Sequence, residues 1–282
     1  MNKLRIASLA IVFLAGAAAS KGQQPAPDAP PSGPQMTLGI SPLRVELKVA
    51  PGADTSQSVK LSNSGALATQ VRVSIADWTL SETGDQTFVK KGGTSWGCAS
   101  WIQVNPAEFA LPPGGNSLVR YTMHVPQDAR EGGFHCAILF ETLPPPREQL
   151  TQGTGVINLL RLVTTIYATI GNPPIVAKIE RLELAAPKKP AKSGALEVIT
   201  EFSNSGTTQY RVSGELQVLD ADGNPVRKFD YKSFPVLPGV SRSSVFPLEP
   251  PLPAGQYLLR AVIDTGAKER LAAETRVRVS GG

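Results

Sequence analysis

From Met36 onward, short β-patterned runs, several of them alternating apolar and polar residues, are separated by Pro, Gly and Asn. Leu43–Val49, Ser58–Leu61, Gln70–Ala76, Ser117–Val125 and Gly133–Thr142 are the clearest. Alternation of this kind places side chains on opposite faces of a half-buried strand. No stretch shows convincing helical periodicity. Strands spaced by roughly 8–12 residues with turn signals between them predict an all-β sandwich architecture.

The longest apolar run after residue 36 is Val156–Ile170, VINLLRLVTTIYATI. Its many β-branched residues are stiff at χ1 and favour a strand over a helix. Asn158 and Arg161 make it too polar, and fifteen residues too short, for a membrane span. Val156, Leu160, Leu162, Ile166, Ala168 and Ile170 share one face with Asn158 and Thr164. Ile157, Leu159, Val163 and Tyr167 share the other with Arg161, Thr165 and Thr169. Leu162–Ile170 alternates as a half-buried strand should, whereas Val156–Leu160 is apolar on both faces. Two readings follow: a central core strand, or an edge strand that pairs with another protein.

An internal repeat sets the domain count. Leu61-Ser62-Asn63-Ser64-Gly65 is matched by Phe202-Ser203-Asn204-Ser205-Gly206, and Thr69–Ser74 by Thr208–Ser213. Leu111-Pro112-Pro113-Gly114 then corresponds to Leu237-Pro238-Gly239, and Gly133–Ile138 to Gly255–Arg260. Four matches in one order imply two tandem immunoglobulin-like sandwiches, spanning 37–171 and 175–280. In each, Gly plus an aromatic opens the sixth strand, where such folds place a tyrosine corner. Gly171-Asn172-Pro173-Pro174 between them predicts a fixed bend.

The start of the chain has a different character. Lys3 and Arg5, the apolar stretch Ile6–Ala15 and the small residues Ala17–Ser20 read as a secretory signal peptide over 1–20. The alternative is an uncleaved anchor. Lys21–Gln35 is Pro-rich and lacks apolar anchors, so 21–36 is expected to be a disordered tether. The expected product is an exported, soluble protein in the periplasm, with no membrane anchor after cleavage.

The 282 residues carry a formal charge of +5 with 41% hydrophobic residues. That basicity is spread along the chain, with no Lys/Arg block interleaved with aromatics, which argues against nucleic acid. Cys98 and Cys136 would lie at the same end of a sandwich, and export permits a disulfide between them. The alternative is two buried thiols. Two Cys and two distant His are too few for a metal site. Gly93-Thr94-Ser95-Trp96-Gly97 matches the GxSxG elbow of hydrolases, but the elbow needs a strand before it and a helix after it. Here it falls in a loop that leads into a strand. A non-enzyme without cofactors is expected.

Arg44 stands in the first strand, Ser41–Leu47. If Leu43, Val45 and Leu47 face the core, Arg44 and Glu46 face outward. Several features together resemble the N-terminal domain of the PapD-like periplasmic pilus chaperones. They are Arg44, Pro51-Gly52, Val59–Ser64, Val71–Ile75, Trp78, Leu111–Gly114 and Val119-Arg120. Val156–Ile170 stands where that family has its subunit-binding G strand. The resemblance covers about half of the chain, and the second domain is similar in architecture only.

The resemblance implies a chaperone that needs neither ATP nor cofactor. It would lend its G strand to exported immunoglobulin-like subunits that lack their own last strand. Ile157, Leu159, Val163 and Tyr167 would enter the subunit's groove. Leu143–Gly155 would be a loop that orders on binding. A basic pair, Arg in the first strand and Lys in the G strand, would hold the subunit's C-terminal carboxylate, and Arg44 matches the first. Val156–Ile170 contains no Lys; Arg161, Thr165 or Tyr167 would stand in its place. Partners would be secreted pilus-type subunits and an outer-membrane usher. The family's acidic-basic-serine motif is absent, Gln127–Gly133 standing there, and Ser81–Ala99 reads as an insertion. A structural or adhesive two-domain surface protein is the alternative.

Overall fold

The computed structural model describes residues 37–144, 159–187 and 195–280. The described elements are strands apart from one 3-10 turn, Ala99–Trp101. They form two sandwiches in series. In the first, one sheet runs β1 (Leu38–Ser41), β3 (Asp54–Asn63), β8 (Asn116–His124), β6 (Ile102–Asn105). The other runs β2 (Arg44–Val49), β10 (Arg161–Ile170), β9 (Gly132–Thr142), β4 (Thr69–Leu80). Two short strands, β5 (Gln86–Val89) and β7 (Glu108–Leu111), pair with opposite ends of β4. Its core includes Val59, Leu61, Val71, Tyr121, Ile138 and Phe140.

The second sandwich sets β11 (Ala177–Ala185), β12 (Glu197–Asn204) and β15 (Ser241–Pro247) against a four-stranded sheet. That sheet is ordered β14 (Pro225–Val236), β13 (Tyr210–Leu219), β16 (Gly255–Asp264), β17 (Leu271–Val279). Phe202, Val212, Leu216, Val218 and Leu259 fill its interior.

The repeated turns do the same work twice. Asn63 Nδ2 donates to the carbonyls of Leu67 and Leu111, while its Oδ1 accepts from Gly65 N. Asn204 Nδ2 donates to Thr208 and Val236, and its Oδ1 accepts from Gly206 N. A buried amide thus closes its own turn and ties it to a strand end across the sandwich. In the second sandwich the tyrosine corner is Tyr257, whose hydroxyl donates to Pro253 O at 2.9 Å.

Two local expectations are corrected. The first strand does not run continuously from Ser41 to Leu47. It leaves one sheet after β1 and joins the other as β2, with Pro42 and Leu43 spanning the crossover. Leu43 is therefore 67% exposed, while Val45 is buried as expected. The strand at the G position is described from Arg161, not Val156. Residues 156–158 lie outside the described part, and Leu159-Leu160 are not in a strand.

The strand buried on both faces is β9, with every residue from Gly132 to Phe140 buried. Phe134, Cys136, Ile138 and Phe140 point into the first core. Ala137 and Leu139 point the other way, into a separate cluster with Ala76, Trp78, Tyr167 and Leu237. Leu237 comes from the second sandwich, so the second domain covers this outer face.

Cys98 and Cys136 are bonded, with Cα atoms 5.2 Å apart and neither side chain exposed. The bond ties the β5–β6 loop to β9. Buried Asp77 holds the same loop from below. Its carboxylate accepts from Gly92 N, Gly93 N and Ala99 N at 2.6, 3.2 and 2.9 Å. The GxSxG stretch lies in this loop, between β5 and the 3-10 turn, and so lacks the strand-turn-helix setting. At the domain junction Asn172 N donates to Glu131 Oε1 at 2.7 Å. Gly171 there has φ +72°, and a Cβ on it would meet Glu131.

Candidate functional site: an open strand edge beside the interdomain cleft

Backbone directions alternate along β10. Leu160 O accepts from Thr142 N at 2.9 Å, toward β9. Thr165 N donates to Leu43 O at 3.0 Å, away from β9. Even-numbered residues of this strand therefore face β9, and odd-numbered residues face the opposite edge. β2 covers that edge in parallel from Thr165↔Arg44 to Ile170↔Val49. Arg161–Thr164 pair only with β9, opposite Glu141–Ile138. Among the described residues, no strand lies beside the outward amides and carbonyls of Arg161 and Val163. The strand is thus interior over its second half and an edge over its first.

Two apolar side chains flank the open segment. Leu159, just before it, is 57% exposed, and Leu43 stands at the head of β2. Thr164, within it, is buried and donates its hydroxyl to Pro42 O at 2.8 Å, pinning the crossover to β10.

The sequence-derived residues are only partly brought together. Arg44 lies directly opposite Thr165, half-exposed, with Nε 3.1 Å from Glu46 Oε1. Arg161 lies four residues back along β10, roughly 13 Å at the usual strand rise. It faces Glu141, directly across on β9, with Nε 2.7 Å from Oε1. The register therefore sets Thr165, and next to it Tyr167 opposite Glu46, beside the first-strand residues. Val163 is half-buried in the cluster that Leu237 covers. Tyr167 is only 5% exposed, its ring edge-on to Trp78 at 5.8 Å, so it is engaged within the chain and not presented to solvent. Ile157 lies outside the described residues.

Tyr167 and Glu46 form one wall of a cleft of about 380 Å³ between the sandwiches. Tyr210, Arg211 and Asp264 are on the opposite wall. Burial pushes the Tyr167 phenol up, against the pull of the Arg211 and Arg44 guanidinium groups. Arg211, anchored by Nε to Ser233 Oγ at 3.1 Å, was not singled out from sequence. Its signal was the repeat, which pairs it with Arg72, an outward residue of β4.

No family model matches the chain, and no curated protein matches it. Solved structures do. The class 5 fimbriae chaperone CfaA overlaps at TM-score 0.47 with 14% identity, over 85% of this chain and 99% of that one. The CsuC–CsuE chaperone–tip adhesion subunit pre-assembly complex of Acinetobacter baumannii gives 0.45 and 12%, over 84% and 97%. A PapD-like domain of human CEP192 gives 0.34 and 16%, over 54% and 96%. Identities this low assign no role to this chain.

Proposed function

We propose that the protein is an exported, ATP-independent chaperone of the periplasm. It would cap immunoglobulin-like subunits of a pilus type by lending the edge of β10 to their missing-strand groove. The observation that carries this reading is the open edge from Arg161 to Thr164, which ends at Arg44. A guest strand there would occupy the lane that β2 fills further along. Running parallel to β10, it would bring its C-terminus to Leu43 and Arg44. A guanidinium at that point suits a terminal carboxylate, because its fork can bond both oxygens.

Magnitudes indicate what else is needed. The outward N–H and C=O groups of Arg161 and Val163 offer about four hydrogen bonds, or roughly 2–6 kcal/mol net. Micromolar binding needs about 8 kcal/mol. Burying exposed apolar side chains such as Leu159 and Leu43 adds about 1.5–3 kcal/mol each. Apolar Val156 and Ile157, just upstream in sequence, are proposed to extend the same contact. Arg161, held by Glu141, would act at the rim of that contact. The usher expected from the resemblance would take over the loaded complex.

The test is co-expression with exported candidate subunits and isolation of a stable heterodimer. Leu159→Glu and Arg44→Ala should each weaken it; an unaffected complex would count against edge donation.

A second reading, a non-catalytic structural or adhesive two-domain protein, is favoured by one observation. Val163 and Tyr167 are already packed against the second sandwich, so fewer side chains on that face await a partner. That reading predicts no heterodimer with any exported subunit.

A further inference from the structure

The insertion singled out in the sequence, Ser81–Ala99, begins as the hairpin between β4 and β5. The two strands pair from Asp77↔Val89 to Leu80↔Gln86. The tip is tightened by Ser81 N donating to Asp85 O at 3.0 Å and Ser81 Oγ to Asp85 Oδ2 at 3.1 Å. This tip reaches the other domain. Glu82 O accepts from Ser243 N of β15 at 2.9 Å. Among the described residues, β15 has a strand, β12, on one side only, so the hairpin covers a backbone amide on its other edge.

Beside that bond lies Arg242, 8% exposed despite its charge. Its guanidinium sits over the Phe234 ring, 5.0 Å from the centroid, and Nη1 donates to Pro235 O at 3.2 Å. Its other side presses on the hairpin tip. At Gly84, where φ is +96°, a Cβ would come within 2.9 Å of Arg242 Cζ. Leu80 and Phe88 of the hairpin join Leu237 and Val240 in a cluster separate from either sandwich core. A guanidinium is taken out of water only where stacking and hydrogen bonds replace its hydration. Here the second sandwich supplies the stacking and one hydrogen bond, Nε is buried without a partner among the described residues, and the tip closes over the group.

We infer that the β4–β5 hairpin is a clasp that fixes the second sandwich against the first, with Arg242 as its latch. The angle between the domains is then set by this contact and not by the four-residue linker alone. The inference stands whether or not the chain lends a strand to a partner.

Spin labels at Ser58→Cys and Gln256→Cys, two exposed strand positions in different domains, report the angle by double electron–electron resonance on the full chain. A single narrow distance distribution is expected for the otherwise native protein. R242A should broaden it at least twofold, with the far-UV spectrum unchanged. S243P removes the single bond to Glu82 at an edge strand that tolerates proline, and should broaden it too. It also serves if R242A does not fold. A broad distribution in the unsubstituted protein, or an unaltered width in a folded variant of either kind, would overturn the clasp.

Discussion

Thr165 gives its backbone N–H to the carbonyl of Leu43 at 3.0 Å, and that bond marks where β2 begins to cover β10. On one side of it β10 is an interior strand. On the other it is an edge, with Arg44 standing at the border. The proposed function depends on that change within one strand.

Among the described residues, Arg44 makes an exposed ion pair with Glu46 and no other. Such pairs contribute about 0–1 kcal/mol. Arg44→Ala should therefore leave the urea midpoint nearly unchanged while weakening a subunit complex tenfold or more. Parallel denaturation and affinity measurements separate the two effects.

Leu159 and Val163 share a face in the sequence pattern but not an environment. Leu159→Glu should leave the fold intact and reduce partner binding. Val163→Glu would put a carboxylate into a cluster with Trp78, Leu139 and Leu237. It should lower stability by about 1–3 kcal/mol on its own, since a charge forced into a half-buried apolar cluster without a partner is costly. Thermal melts of the two variants should differ clearly; equal melts would contradict the assigned burial.

Removing the disulfide by Cys98→Ala with Cys136→Ala opens a loop with a sequence separation of 38. The chain-entropy model puts the loss at about 4 kcal/mol. The same loop stays tethered through Asp77, so the sandwich should still fold. Urea titration of the variant against the parent checks the size.

His135 predicts a pH effect. Burial pushes its pKa from 6.5 down to about 4, although Trp78 O and Asp77 favour the charged form. Below about pH 6.5 the unfolded chain takes up a proton that the folded one refuses until about pH 4. Stability is therefore full at neutral pH and falls as pH drops through that window. At pH 5 the deficit from this group is about 2 kcal/mol. His135→Gln should remove most of that slope in urea midpoints measured between pH 7 and pH 5.

Much of the fold was legible because local chemistry and long-range order agree. The Asn63 and Asn204 turns recur in sequence, and each closes the same kind of contact in the structure. Alternation found β3, β4 and β8, while β9 read as a strand from its apolar, β-patterned run between turn signals. Leu43 was misplaced because the chain changes sheets there, a tertiary event that leaves alternation unbroken. Val163 and Tyr167 read as an outward face, and they are one relative to the first core. What covers them, Leu237, lies some seventy residues further along the chain. Arg211 and the clasp share that difficulty: both acquire meaning only once the second sandwich is in position. At the candidate site, the strand was legible in the sequence and Arg44 was singled out there for its proposed role, but the border at Thr165 was not. It depends on where a neighbouring strand begins.

Per-residue amide hydrogen exchange on the uncomplexed chain tests the open edge most directly. Leu162 and Thr164, whose amides face β9, should be protected, as should Thr165, bonded to Leu43. The Val163 amide between them should exchange orders of magnitude faster, and become protected when an exported subunit binds. Slow exchange at Val163 in the protein alone would mean that its edge is already paired, and strand donation there would be excluded.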